Sequence, residues 1–237
     1  MLSLGIDCSE FGVSVALAND RQLIMEQSTT ENKRASQFLV PQIEALFKNT
    51  PYKLAQVKSI AVTQGPGSFT GLKIGVTAGK VLATINHAKL FGISSLVNLA
   101  FPLLTTGNPV LTLISARHQN FYAGIYQKKS GKIVTLLPDS YLNYSVLREK
   151  IKHFNGLLIM GAGLEDVKTD LKEFGIIIPV ISGNLFSRGY SAILLSKGEK
   201  SISPDQFVPN YIRDPQAVLA WEKNNPEHSM INYVEEI

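Results

Sequence analysis

The stretch SIAVTQGPGSFTGLKIGVTAGKVLATIN, residues 59–86, constrains this chain more than any other. A strand-like apolar run ends in a turn crowded with Gly65, Gly67 and Gly71, and a helix-like segment follows with Gly75 and Gly79 inside it. Glycine lets backbone N–H groups approach an anion at a helix start, where the helix dipole favours negative charge. The spacing fits neither common phosphate cradle. A Walker A loop needs Gly-Lys-Ser/Thr after four intervening residues, whereas Gly71 is followed by Leu72, Lys73 and Ile74. The run Gly65, Gly67, Gly71 is one residue longer than the dinucleotide fingerprint, and no acidic residue stands at the expected distance on a second strand.

Gly71, Gly75, Gly79 and Ala83 recur every four residues, so a helix over 69–86 carries them as one side-chain-poor seam. Each interior glycine costs about 1 kcal/mol against alanine, so something must offset Gly75 and Gly79. Close approach of another helix would do so through dispersion contacts. The seam leaves open whether that helix belongs to the same chain or lies across an interface.

The 237 residues, 45% hydrophobic and 18% charged, are enough for one large or two small packed domains. No run reaches the roughly 18 apolar residues of a spanning helix, and the start MLSLGIDCSE lacks a basic leader, so the chain reads as cytoplasmic. The single Cys8 allows neither an intramolecular disulfide nor a multi-cysteine zinc site. Residues 214–237 hold Asp214, Glu222, Glu227, Glu235 and Glu236 against Lys223, a net of −4, which leaves +8 on the rest. That bias favours a polyanionic partner, but the cations are scattered and have no aromatic residues interleaved.

Residues 2–7 read as a buried strand, alternation predicts a second at 12–18, and a hairpin turn at Asn19-Asp20 leads into a third at 22–28. A helix follows in KRASQFLVPQIEALFKNT, bent or interrupted at Pro41, then a strand at 58–64, the glycine-bearing helix, a strand near 89–93 and a helix opened by Ser94 and Ser95. After TTGNP the order starts again: strands 110–115, 121–127 and 132–137, a helix near 144–153, a strand 157–160, a helix 164–174, an apolar run 176–181 and a helix near 184–197. Two copies of strand, strand, strand, helix, strand, helix describe a duplicated two-lobed α/β protein. The segment SPDQFVPNYIRDP is expected to run extended, before an acidic tail with at most a short helix.

Asp7 ends the first strand and Ser9 follows in the turn, where phosphotransferases of duplicated design place a carboxylate that organises a metal nucleotide. The second copy offers Ser115 at the matching place, and one carboxylate without its partner argues against phosphoryl transfer. Cys8 has no histidine tied to it by any pattern, and His87, His118, His153 and His228 show no H-x-x-x-H spacing, so no catalytic metal is expected. Arg117 and His118 at the bend between two strands read as solvated turn residues.

TQGPGSFTGLKIGVTAGKVLA resembles the signature of the TsaB family, earlier YeaZ and glycoprotease-like, the dimerization subunit of the bacterial machinery that makes threonylcarbamoyladenosine in tRNA beside the anticodon. LGIDCSEFGVSVAL, SQFLVPQIEALF, GISSLVNLA, SARHQNFYAGIY and PNYIR are similar to further family segments, so the likeness covers about residues 1–213. It implies an actin-like (ASKHA) α/β fold of two lobes, each a mixed sheet covered by helices: 1–105 as the N-terminal lobe, 106–213 as the C-terminal lobe, and 214–237 as an acidic tail outside it.

The resemblance further implies a non-catalytic scaffold that forms homodimers alone and pairs with TsaD, and through it TsaE, for threonylcarbamoyl transfer, touching tRNA only indirectly. The isolated chain then requires no cofactor, ATP or ADP being admitted only in the complex with TsaD. Pairing through the first two helices implicates Ser36, Phe38, Leu39, Gln42, Ile43, Leu72, Gly75, Val76, Gly79 and Ala83. Asp7, Ser9, Gly65, Gly67 and Ser68 are turn positions or weak nucleotide contacts. Two departures stand out: Ala35 where the family commonly has histidine, and Ser115-Ala116-Arg117 where Asp-Ala-Arg is usual. The competing function is an actin-like small-molecule kinase or ATPase built on Asp7, Ser9 and the 65–71 loop. No peptidase constellation can be assembled.

Overall fold

The computed structural model describes residues 1–10, 12–29, 35–164, 167 and 188–213. The first lobe contains β1 (Leu2–Asp7), β2 (Ser14–Asn19), β3 (Gln22–Ser28), α1 (Ala35–Lys48), β4 (Ser59–Gly65), α2 (Phe69–Asn86) and β5 (Lys89–Ser94). The connecting helix α3 (Ser95–Ala100) leads to β6 (Val110–Ser115), β7 (Asn120–Lys129), β8 (Lys132–Asn143), α4 (Tyr144–Ile151), β9 (Leu158–Met160) and α5 (Arg188–Leu195).

The first sheet has the order β3-β2-β1-β4-β5 and the second β8-β7-β6-β9. In each, an antiparallel three-strand meander continues into a parallel strand, β1 with β4 and β6 with β9. The second sheet thus repeats the first four strands of the first, and the chain has the duplicated actin-like fold. The parallel β1 and β4 are buried almost throughout, as their continuous apolar runs require. The tight turn between β2 and β3 falls at Asp20 and Arg21, both with positive φ, one residue later than the Asn19-Asp20 expectation. Helix α1 runs without interruption through Pro41, so of the two expected effects of that proline the break does not occur.

One core fills the space between the first sheet and helices α1 and α2, with Leu4, Ile6, Leu39, Leu46 and Val62 at its centre. On the opposite face α5 packs against small residues, Ala16, Ala18 and Ala61. The approach is close enough that a Cβ on Gly5 would fall 1.9 Å from the Gly189 carbonyl oxygen. Glu26 of β3 caps this helix, accepting from the Gly189 and Tyr190 N–H groups at 3.0 and 3.1 Å. The chain therefore returns from the second lobe to the first at α5, which a linear division at residue 105 does not capture. The cores of the second sheet lie under α4 on one face and α3 on the other.

Asp139 of β8 ties the lobes together, accepting from Tyr126 Oη and from Ser94 Oγ, the latter at 2.5 Å. The expected run 176–181, nearly all of the helix at 164–174, the start of that at 184–197 and the tail 214–237 lie outside the described residues.

Candidate functional site

At the lobe junction the chain turns sharply after β1. Asp7 is fully buried, and its Oδ1 accepts from Ser9 N and Ser9 Oγ, both at 2.8 Å. Asn98 Nδ2 of α3 donates to Asp7 Oδ2 at 2.9 Å and to the Arg188 carbonyl at 3.0 Å. The Arg188 guanidinium lies 3.9 Å from Asp7 Oδ1 and 3.7 Å from Glu10 Oε2. Burial pushes the Glu10 carboxyl above its ordinary range, a shift that Arg188 and the Ala162 N–H only partly offset. Burial first, and the Asp7 charge second, push the Cys8 thiol far up, which leaves it no thiolate character at neutral pH.

The glycine turn closes against this same corner. Gly65 and Gly67 have φ of 130° and 156°, values that a side chain resists, and a Cβ on Gly67 would meet the Ser9 carbonyl at 2.1 Å. Ser68 N donates to Ser9 O at 2.7 Å, and Ser68 Oγ caps α2 by accepting from Gly71 N at 3.2 Å. A Cβ on Gly71 would meet the Cys8 carbonyl at 2.0 Å. The start of α2 is therefore filled by the carbonyl oxygens of Cys8 and Ser9, where a phosphate cradle would present free N–H groups. Asp7, Ser9, Gly65, Gly67 and Ser68 are brought together as a packed turn.

Arg117, His118 and Gln119 all have positive φ in the turn between β6 and β7. They line, with exposed Ser115, a separate cavity of about 420 Å³. Among the described residues no group of three or more His, Cys, Asp or Glu side chains is placed to hold a metal. No described helix is long and apolar enough to cross a membrane.

The seam of α2 faces its own sheet. A Cβ on Gly75 would sit 3.4 Å from Cys8 Cβ, and one on Gly79 2.5 Å from Val62 Cγ2. The neighbours that the glycines admit are Cys8, just after β1, and Val62 of strand β4, which a helix-on-helix reading of the seam did not foresee. Of the residues assigned to pairing, Leu39, Gln42, Ile43, Leu72, Gly75, Val76, Gly79 and Ala83 are buried within this chain. Ser36 is exposed and Phe38 half-buried.

A second apolar stripe on α2 runs along the edge of the first-lobe core: Ile74, Ala78 and Leu82 are half-buried against it, and Val81 and Ile85 are exposed. With Val40 and Phe47 of α1 and with Tyr52 and Leu54 beyond it, Ala78, Val81 and Leu82 wall a groove of about 670 Å³. Val40, Val81 and Ile85 are 68%, 49% and 67% exposed, unusual for three aliphatic side chains on two adjacent helices. Glu44 and Lys48, 3.5 Å apart, and Lys53 form its charged rim. The repeat of apolar residues at 74, 78, 81, 82 and 85 was present in the sequence as the signal for this face.

Residues 26–153 match the family model described as TsaD: tRNA N6-adenosine threonylcarbamoyltransferase. The tRNA threonylcarbamoyladenosine biosynthesis protein TsaB of Bacillus subtilis is 28% identical over 229 residues, 93% of this chain and 98% of that relative. The protein of the same name from Escherichia coli is 25% identical over 233 residues, covering 94% and 98%. Among solved structures, YeaZ from Pseudomonas aeruginosa matches with a TM-score of 0.69 at 22% identity, over 89% of this chain and 99% of that one.

Proposed function

Because the chain belongs to the TsaB family, within the wider family of the TsaD model, we propose that it serves as an accessory subunit in the biosynthesis of threonylcarbamoyladenosine in tRNA. It acts as a non-catalytic scaffold: it pairs with TsaD through the α1–α2 groove, and through that pair engages TsaE. Alone, it covers the same groove by forming a homodimer.

The observation that carries this reading is the apolar groove itself. Fully burying an exposed aliphatic side chain contributes about 1.5–3 kcal/mol, and Val40 and Val81 on the groove, with Ile85 beside it, have roughly half to two thirds of their surface left for that transfer. The rim charges Glu44, Lys48 and Lys53 fix orientation more than affinity.

The lobe junction supports the non-catalytic part. Both Asp7 oxygens accept bonds from the chain's own donors, Arg188 stands where a cation would be needed, and backbone carbonyls fill the start of α2. A metal nucleotide would have to displace all three, which weighs against a kinase or ATPase. The isolated chain accordingly requires no cofactor, and ATP or ADP enters only with TsaD.

The test is tRNA threonylcarbamoylation reconstituted from TsaD, TsaE and the adenylate-forming enzyme of the same organism, with this chain present or omitted. Modification that requires the chain supports the proposal, and modification that proceeds equally without it removes the proposal.

A further inference from the structure

The segment from Ile202 to Arg213 straps the two lobes. Ile202 N donates to Leu90 O at 2.8 Å, Phe207 is fully buried, and Asn210 N donates to Gln64 O at 2.6 Å. Beyond these anchors the strap meets two clusters of rings and cations. In the first lobe the Phe69 and Tyr211 rings lie 5.0 Å apart, and Lys73 Nζ stands 4.3 Å from the centre of the Phe69 ring. In the second, the Arg213 guanidinium lies 4.7 Å from the Tyr141 ring and donates to Tyr141 Oη at 2.5 Å, with the Tyr122 ring 5.6 Å from Tyr141. Tyr211 and Arg213 are two residues apart, at most about 7 Å along the chain, so the clusters form one strip across the lobe junction.

Three features of the strip point outward. Among the described residues neither Lys73 nor Arg213 pairs with a carboxylate. Phe69 is 39% exposed, and Lys73 is exposed beside it. Tyr211 Oη is closed off from solvent without a hydrogen-bond partner among the described residues, so nothing in the strap explains its hydroxyl. Cations with no carboxylate partner among the described residues, set beside ring faces, match a strand of phosphates and unpaired bases: the cations meet phosphate, and the rings stack on bases. A peptide partner of the apolar groove would use neither.

We propose that the strip binds single-stranded RNA directly. This rests on the function proposed above, in which the RNA is an unpaired loop of tRNA, and it gives the chain a contact with RNA beyond the indirect one through TsaD. The +8 charge outside residues 214–237 favours a polyanionic partner over the body of the chain.

The test is an anisotropy titration of the full chain with a labelled single-stranded RNA of about 12 nucleotides, and with the same sequence as a duplex. Binding of the single strand at least about tenfold tighter than the duplex is expected. Between roughly 50 and 200 mM salt, Lys73→Gln and Arg213→Gln should each lower the slope of log affinity against log salt by about 0.7. Tyr211→Ala should weaken binding about tenfold. Unfolding midpoints are measured alongside; Lys73→Gln, at an exposed site, decides the matter if the strap variants loosen.

No single-strand binding, equal duplex binding, an unchanged salt slope in Lys73→Gln, or preference for a polyglutamate peptide would overturn the proposal. If tRNA modification needs the chain while the titration is flat, the strip fails and the scaffold stands. If the chain binds RNA but modification does not need it, the scaffold fails and the strip stands.

Discussion

A Cβ placed on Gly79 of α2 would lie 2.5 Å from Val62 Cγ2 of β4, closer than any real side-chain contact. The helix can rest on the sheet at its observed distance only because residue 79 has no side chain. One turn earlier the same atom on Gly75 would find Cys8 Cβ at 3.4 Å, an ordinary contact. Two glycines of one seam therefore have different roles. Gly79→Ala should destabilise by about 1–3 kcal/mol through overpacking against a branched β4 residue. Gly75→Ala should be neutral or stabilising by up to about 1 kcal/mol, because alanine restores helix propensity at no steric cost. Urea unfolding of the two variants checks both signs.

The Asp7 carboxylate organises a corner of the fold. In Asp7→Asn, one amide hydrogen-bond donor replaces an acceptor among Ser9 N, Ser9 Oγ and Asn98 Nδ2. A loss of about 1–3 kcal/mol in stability is expected. At a temperature where the variant stays folded, tRNA modification should continue at the wild-type rate. A large loss of rate in folded protein would instead give Asp7 a chemical role.

Glu10 gives the fold a pH dependence. Its folded pKa is raised above the ordinary value of 4.5, chiefly by burial, so between those two values the folded state holds more proton than the unfolded one. Glu10 thus favours folding fully below 4.5, and that contribution is lost as pH rises through the raised value. Glu10→Gln should remove the slope: its stability relative to wild type should increase as pH rises from acid towards neutrality. Paired unfolding curves at acid and neutral pH measure this, and parallel curves would show that Glu10 does not titrate abnormally.

Tyr126→Phe removes one of the two donors on Asp139, the one from the same sheet that positions the carboxylate for its bond from Ser94 of the other lobe. The carboxylate keeps its bond from Ser94 Oγ, so the expected cost is a single buried hydrogen bond to a charged group, about 1.5–3 kcal/mol. Thermal unfolding reads it directly.

Much of this architecture was legible in the chain. A buried apolar run, alternation and turn signals located the first meander, and the repetition of element order revealed the duplication before any pairing was known. Periodicity also found the α2 seam, but a seam names a face and not its neighbour. Whether Gly79 meets a helix or Val62 depends on how α2 lies on the sheet, and that is decided by non-local packing. For the same reason periodicity alone does not say that Val81 and Ile85 are left exposed. The partners at the lobe junction are farther apart still: Asn98 meets Asp7 across 91 residues. No local spacing could foretell that Asn98 and Arg188 would satisfy Asp7, nor that Tyr211 would join Phe69.

The central claim is that the outward face of α1 and α2 docks TsaD, and Val81→Asp tests it most directly. Val81 is 49% exposed on the wall of the groove, so a carboxylate there leaves the isolated fold intact yet would have to be buried unpaired in any complex. The measurement is the affinity of purified TsaD for wild-type and Val81→Asp chains, with unfolding midpoints recorded in parallel. An unchanged midpoint and an affinity at least about tenfold weaker are expected. Wild-type affinity in the variant would contradict the claim and move the docking surface elsewhere on the molecule.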